Sequence, residues 1–453
     1  MPLIRDQPAG RRRPRYTALC DWLAWQEGLH VREIDLGLER CQSVKKRMGL
    51  APPAYRVISV GGTNGKGSSV AFLDAILRAA GYRVATYTSP HLLCYNERIR
   101  IQGVPVSDRQ LCSAFERVDA ARGATSLTYF EFGTLAALSL FEDADPDIAV
   151  LEVGLGGRLD AVNVVDADVA LIAAIGIDHV EWLGHERSAI AFEKAGIFRP
   201  ARGAVCSDPE VPESLIDHAG RLGTRLSLLG RDYRYSVGDG SWSWASSDSA
   251  YCDLPTPGLM GDYQYQNAAG VLRTIEVLCP DRPVPEPALR EGLAATHLPG
   301  RFQIVTAGGL EYVLDVAHNP QAAEVLARTL RQHRSPTNRE SWARPPAPAE
   351  THAIFGMLRD KDRQGFLTRI QGLVDHWHVT GLPGSRGTAV SLLAREVAAL
   401  RGRGSLTCYD SVEAALSGVQ ARARRGDRVL VTGSFLTVAG VLRSLPIEEW
   451  TQG

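Results

Sequence analysis

Residues 61–68 read Gly61-Gly62-Thr63-Asn64-Gly65-Lys66-Gly67-Ser68, and this stretch decides the fold. An apolar, β-branched run from Tyr55 to Val60 leads into it and predicts a strand. The segment Lys66 to Ala80 leads out, with Val70, Leu73, Ile76 and Leu77 at helical spacing. Glycines between a strand and a helix let backbone N–H groups close on an anion, and the helix N-terminus adds its positive dipole end. Gly62, Thr63, Asn64, Gly65, Lys66, Gly67 and Ser68 are therefore the candidate phosphate loop. Lys66 would reach terminal phosphates, and Ser68 offers a hydroxyl to magnesium. The ordinary loop places Ser or Thr directly after the lysine, whereas Gly67 intervenes here. The expectation is a nucleotide site in an unusual dialect.

At 453 residues, two domains are expected. Apolar residues at 45% and charged ones at 22% fit an ordinary globular protein. A net charge of −1 gives no reason to expect nucleic acid or an anionic membrane as partner. No apolar run approaches the ~20 residues that span a bilayer. Arg11-Arg12-Arg13-Pro14-Arg15 lacks a following signal-peptide core and reads as a solvated N-terminal arm. The eight cysteines are scattered without CxxC spacing, which predicts buried free thiols in a reducing cytoplasm rather than disulfides or a zinc site.

Tyr16 to Gly49 reads as helical. Strands are expected at 55–60, 82–88, 147–153 and 168–175, with helical segments between most of them, so the sheet is expected to be mostly parallel. The polar stretch Gly238 to Ser249 reads as a surface loop. A second alternation begins after His297-Leu298-Pro299-Gly300, with strands expected at 311–317, 351–357, 376–381 and 428–432. The Pro-rich piece Ala343 to Glu350 reads as a loop. The expected architecture is an N-terminal P-loop-type parallel-sheet ATPase domain (1–298) followed by a C-terminal Rossmann-like α/β domain (299–453).

Other candidate residues gather at strand ends, where open α/β sheets bind ligands. Ser89 follows the strand 82–88, although a Ser-Pro turn would explain it equally well. Glu152 ends a buried strand beside Gly154, Gly156 and Gly157, a setting that suits a magnesium–nucleotide site. Asp178-His179 is expected to end another strand, and Lys194 follows on a helix. Asp315 and His318 sit where a strand passes into a helix begun by Asn319-Pro320, an arrangement that is equally a cap and a turn.

Together these pieces resemble the Mur ligase superfamily, and within it the folylpolyglutamate synthase/dihydrofolate synthase family. The matching motifs include GTNGKGS (62–68), TSPHL (88–92), YNERI (95–99), TYFEFGT (128–134), LEVGLGGRLDAVN (151–163), DH (178–179), EKAGI (193–197), QNAA (266–269), PGRFQ (299–303), DVAHNP (315–320) and KD (361–362), in family order. The resemblance implies an ATP- and magnesium-dependent ligase in which ATP phosphorylates a substrate carboxylate and a glutamate amine displaces phosphate from the acyl phosphate.

By that resemblance Ser68, Ser89 and Glu152 hold magnesium, and His179 serves a second ion. Lys194 resembles the family's carboxylated lysine. Asn267, Arg301 and Asp315 resemble residues that close on the nucleotide, and His318 one near the glutamate and acyl phosphate. Ile34, Asp35, Leu36 and Gly37, with Thr128, Tyr129, Phe130, Glu131, Leu159, Asp160 and Ala161, resemble the pterin pocket of the bacterial bifunctional type. The implied substrates are dihydropteroate, reduced folates and L-glutamate, in a cytoplasmic monomer. A monofunctional folylpolyglutamate synthase is the alternative. Val316 replaces the glycine found in many members at that place. A P-loop kinase would leave EKAGI and the whole second domain without a role.

Overall fold

A computed structural model describes residues 14–333, 349–400 and 404–445. Arg11 to Arg13 and residues 343–348 of the Pro-rich piece lie outside them. The first sheet contains β1 (Arg56–Gly61), β2 (Val84–Tyr87), β3 (Ile99–Ile101), β4 (Val104–Pro105), β5 (Ile148–Glu152), β6 (Val169–Ile172), β7 (Gly203–Cys206) and β8 (Arg225–Leu228). Its strand order is β4-β3-β2-β5-β1-β6-β7-β8. Every pairing from β2 to β8 is parallel, and only the short β3 and β4 run against their neighbours.

β1 is central, buried from its second residue onward, and flanked by β5 and β6. The chain leaves it for the edge and returns on both sides. The crevice above its carboxyl end is thus where ligands bind in such sheets. Helix Lys66–Ala79 covers one face, with Val70, Phe72, Leu73, Ile76 and Leu77 in the core. Helix Glu286–Ala295 packs on it at close range, because Gly292 lies directly against the Ile76 backbone.

A small antiparallel sheet follows, β9 (Tyr233–Val237), β10 (Ser241–Ser246) and β11 (Ala250–Pro255), with β10 central. This overturns the surface loop expected over 238–249. Trp242 and Trp244 alternate with serines, so one face of β10 is apolar at period two although the segment's composition is polar. Both indoles are buried, and their N–H groups donate to the carbonyls of Pro255 and Ala269.

The continuous helical reading of Tyr16–Gly49 also fails. Two helices, Leu19–Glu27 and Glu39–Arg47, flank a non-helical stretch that begins at Gly28. Gly37 N–H in that stretch donates to distant Leu159 O, and Asp35 accepts from nearby Arg40, itself tied to distant Glu131. Arg15 is not a solvated arm residue, since it pairs with Asp119 and stacks on Trp25. The thiols are all free, but Cys20, Cys94, Cys252 and Cys408 are exposed; only Cys41, Cys206 and Cys279 are buried as expected.

The second sheet contains β12 (Gln303–Ala307), β13 (Leu310–Leu314), β14 (Thr351–Phe355), β15 (His376–Thr380), β16 (Ser405–Tyr409) and β17 (Arg428–Thr432), ordered β12-β13-β17-β14-β15-β16. All pairings but β12–β13 are parallel. Val316 lies in this domain's core against Gly300, whose φ of +72° suits glycine. The departure from the family's usual glycine is therefore absorbed by packing. Among the described residues no helix is long and apolar enough to cross a membrane.

Candidate active site

The phosphate loop joins β1 to helix Lys66–Ala79 as expected. Thr63 pins it: its N–H donates to Ala174 O, and its hydroxyl donates to Gly176 O at 2.9 Å. Gly65 has φ +87°, and a Cβ there would lie 2.5 Å from Asn267 Oδ1. The amides of Gly65, Lys66 and Gly67 donate to no partner among the described residues. Helix N-termini leave such donors unfilled, and an anion satisfies them. Lys66 is half-buried, with Nζ 3.0 Å from Gly62 O. Burial lowers its pKa, against the pull of Glu152 and Asp178.

Glu152 ends β5 beside this loop, only 5% exposed. Burial raises its pKa while the Lys66 charge opposes the rise. Ser89 N–H donates to Glu152 Oε2 at 3.1 Å, which brings two of the expected metal residues together. Ser68 is buried on the helix's first turn, with Gln264 Nε2 3.3 Å from its hydroxyl. The hard oxygens of Glu152 and Ser68 beside unfilled amides suit a magnesium–phosphate group.

Lys194 lies on helix Arg187–Ala195 and is 3% exposed. No carboxylate pairs with it among the described residues. Burial, reinforced by the Lys66 charge, lowers its pKa to about 7. A large share of these amines is therefore neutral at physiological pH. Gly157 makes room for that helix, since a Cβ there would sit 2.9 Å from Glu193 O.

β6 stops at Ile172, so Asp178 and His179 lie beyond a loop rather than at a strand end. His179 has φ +51° and precedes a one-turn helix, Val180–Leu183. Lys361 Nζ, from the second domain, is 2.8 Å from Asp178 Oδ1 and 3.3 Å from His179 Nε2. Burial opposes ionisation of Asp178, yet the Lys361 ammonium holds its carboxyl well below the usual range. Burial and Lys361 lower the pKa of His179 to about 4, so its imidazole is neutral and able to accept.

The second domain meets the loop through this clasp. Asn319 Nδ2 donates to Asn64 Oδ1 at 3.0 Å and to Asp178 Oδ2 at 3.2 Å, and Asn64 Nδ2 donates to Gln321 Oε1 at 2.7 Å. His318 Nε2 stands 3.7 Å from Asp178 Oδ2, while Nδ1 lies 2.8 Å from Val316 O. Arg301 approaches Gly67, its Nη2 3.6 Å from where a Cβ would stand, and stacks on Phe435. Asp315 is buried, and both its oxygens accept backbone N–H groups, from Phe302 and Ala317.

The residues expected for the pterin pocket form a neighbouring group. Arg40 bridges Asp35 at 2.6 Å and Glu131 at 3.1 Å. Thr128 caps helix Tyr129–Ala144 and exchanges bonds with Glu131. Phe130 stacks on Tyr87, and Asp160 Oδ2 accepts from Leu155 N–H at 2.7 Å. Leu159 ties to Gly37, Ile34 and Leu36 are half-buried, and Ala161 is buried. Arg98, 8% exposed, lies over Tyr95 and Tyr129 and donates to His91 Nδ1. Sequence reasoning gave roles to neither Arg98, Asp178 nor Lys361, although all three sit in the motifs YNERI, DH and KD. Nothing in the sequence signalled Gln264 or Gln321.

Fold and site define an ATP-dependent amide ligase of the Mur type: residues 60–272 match the Mur ligase middle domain, and residues 300–435 the Mur ligase glutamate ligase domain. The chain is 42% identical over 426 residues to the dihydrofolate synthase/folylpolyglutamate synthase of Escherichia coli K12, covering 94% of this chain and 95% of that one. It is similar to the structure of E. coli FolC in complex with DHPP and ADP, with TM-score 0.86 and 41% identity, covering 94% of this chain and 97% of that one. A bifunctional folylpolyglutamate synthase/dihydrofolate synthase with Mn, AMPPNP and L-glutamate bound gives TM-score 0.84 and 41% identity, over 94% and 98%. The chain belongs to the dihydrofolate synthase/folylpolyglutamate synthase family.

Proposed function

We propose that this protein adds L-glutamate to dihydropteroate and to reduced folates, at the expense of ATP. The observation that carries the reading is the convergence, at one sheet edge, of unfilled loop amides, buried Glu152 and unpaired Lys194. The second domain is clasped to that edge through Asp178. Relatives solved with ADP, with AMPPNP and Mn, and with L-glutamate support the same ligands here.

On this reading the amides of residues 65–67 and Lys66 hold the β- and γ-phosphates, with Asn267, Arg301 and Asp315 shaping the nucleotide site. Ser68, Ser89 and Glu152 would hold magnesium, with His179 and a carboxylated Lys194 at a second ion. Magnesium supplies charge neutralisation where two anions must meet. The acceptor's carboxylate oxygen attacks the γ-phosphorus and ADP leaves. The glutamate amine then attacks the acyl carbon, loses a proton, and expels phosphate that carries the former carboxylate oxygen. The intermediate is water-sensitive, which gives the Lys361–Asp178–Asn319 clasp a purpose: it closes the second domain over the cleft. His318 is placed beside the incoming amine. The pterin is received by Ile34–Gly37, Thr128–Glu131 and Leu159–Ala161.

The division of labour puts ATP on residues 1–298 and glutamate closure on 299–453. Eight free thiols suit a reducing cytoplasm, and the protein is taken to act as a monomer. Phosphate release with dihydropteroate tests the reading: it should require glutamate, and should recur with a tetrahydrofolate acceptor. Release without glutamate would indicate a hydrolase, and a stable phosphorylated acceptor formed without glutamate would indicate a kinase. Activity on the folate alone would make the protein a monofunctional folylpolyglutamate synthase.

A further inference from the structure

The second sheet carries another concentration of polar side chains, at the amino ends of its strands and so at the opposite end from Asp315 and His318. His352, in β14, is the Cα partner of His376, in β15, and their rings stack with centroids 4.6 Å apart. Glu350 directly precedes β14. One ligand atom each from Glu350, His352 and His376 lies within 4.8 Å of the other two.

Both imidazoles are held from behind. His352 Nδ1 is 3.1 Å from His378 Nε2, and His378 Nδ1 is 3.0 Å from the Tyr409 hydroxyl. His376 Nδ1 is 2.7 Å from Ser405 Oγ. If each Nδ1 carries the proton and donates it, the Nε2 lone pairs of His352 and His376 face forward, that of His376 toward Glu350 Oε2 only 3.1 Å away, a meeting of two acceptors that a cation between them would relieve. Metal-bound histidines characteristically show this arrangement, with the rear nitrogen bonded to fix tautomer and orientation.

His352 is 3% exposed, and among the described residues its Nε2 has no hydrogen-bond partner. Asp427 Oδ2 is 3.5 Å away, too long for a well-formed bond, and that oxygen already accepts from Arg424 N–H at 2.7 Å. A buried nitrogen left unfilled costs stability unless something satisfies it.

We propose that Glu350, His352 and His376 bind a divalent cation of the zinc class, with water completing its coordination. Two imidazole nitrogens and one carboxylate suit zinc and disfavour magnesium, which takes oxygen ligands. The side chains of Glu350 and His376 are 47% and 30% exposed, so an ion has access from solvent. It would staple β14 to β15 and stabilise the second domain without touching the ligase chemistry at the other end of the sheet.

The test uses the full chain stripped with a chelator and titrated with Zn²⁺ by calorimetry, with Co²⁺ absorption as a reporter of nitrogen ligation. The wild type should bind one equivalent and gain thermal stability. Glu350→Gln and His376→Gln, at partly exposed positions that the fold tolerates, should each weaken binding at least tenfold and leave ligation rates unchanged. Ser405→Ala should weaken it by about 10- to 100-fold through loss of the rear hydrogen bond. Glu152→Gln should keep the equivalent. Absence of zinc binding in the wild type, equal binding in both ligand variants, or loss in Glu152→Gln alone would overturn the proposal.

Discussion

The carboxyl edges of the two sheets are built on opposite plans. On the first, among the described residues, charged groups are buried without full satisfaction: Lys194 has no paired carboxylate, Glu152 receives one backbone N–H, and the loop amides have no partner. On the second, Asp315 has both oxygens filled by its own backbone, and His318 Nδ1 is tied to Val316 O. The first edge is unfinished and awaits ligands, whereas the second is a finished scaffold brought to it by Lys361 and Asn319. Removing a side chain from the first should therefore cost rate with little stability, and removing Asp315 from the second should cost stability as well as rate.

The largest expected effect is at Lys66. On the proposed reading, Lys66→Ala removes the main point charge on the γ-phosphate. Turnover should fall ~100- to 1000-fold, as for other lost transition-state contacts, with the urea midpoint unchanged. Near-normal turnover would break the phosphate-loop reading.

Lys194→Ala comes next, with a loss on the order of 100-fold in kcat. An ammonium repels metal ions and has no lone pair, whereas a carbamate offers hard oxygens. High bicarbonate, acetate or formate should therefore restore part of the rate. The sign of the pH dependence follows from a pKa lowered to about 7. CO₂ adds only to the neutral amine, so carbamate should be retained above that pH and lost as pH falls through it. Carbon-13 NMR with labelled bicarbonate at pH 6 and pH 8 checks this; a signal that grows toward pH 6 would exclude a Lys194 carbamate.

Asp315→Ala should differ from both by losing stability as well as rate. It strands two buried backbone N–H groups, and unfilled donors of that kind cost ~1–3 kcal/mol each. Chemical denaturation should register a loss on the order of 2 kcal/mol or more. A variant with full stability and only a kinetic defect would show that the second edge, too, is held ready for ligand.

The parts of this contrast that were legible in the sequence are those with local signals. β1, the loop and the helix Lys66–Ala79 follow from periodicity and glycine placement within about 25 residues. The helix carrying Lys194 and the strand ending at Glu152 were equally plain. Reading failed where distant partners override local character. Gly28 to Leu38 leaves the helical path where Gly37 bonds Leu159 and where Arg40, bonded to Glu131, holds Asp35. The β10 strand hid behind serines that face away from two buried indoles. The Lys361–Asp178 clasp joins residues 183 positions apart, and no spacing rule anticipates such a pair.

The central claim is that the acceptor's own carboxylate takes the γ-phosphoryl group at the first edge. The most direct measurement uses dihydropteroate labelled with oxygen-18 in its carboxylate, with ATP and glutamate, and mass analysis of the phosphate released. An acyl phosphate mechanism places one labelled oxygen in each phosphate formed per amide bond. Phosphate free of label, accompanied by normal product formation, would contradict it.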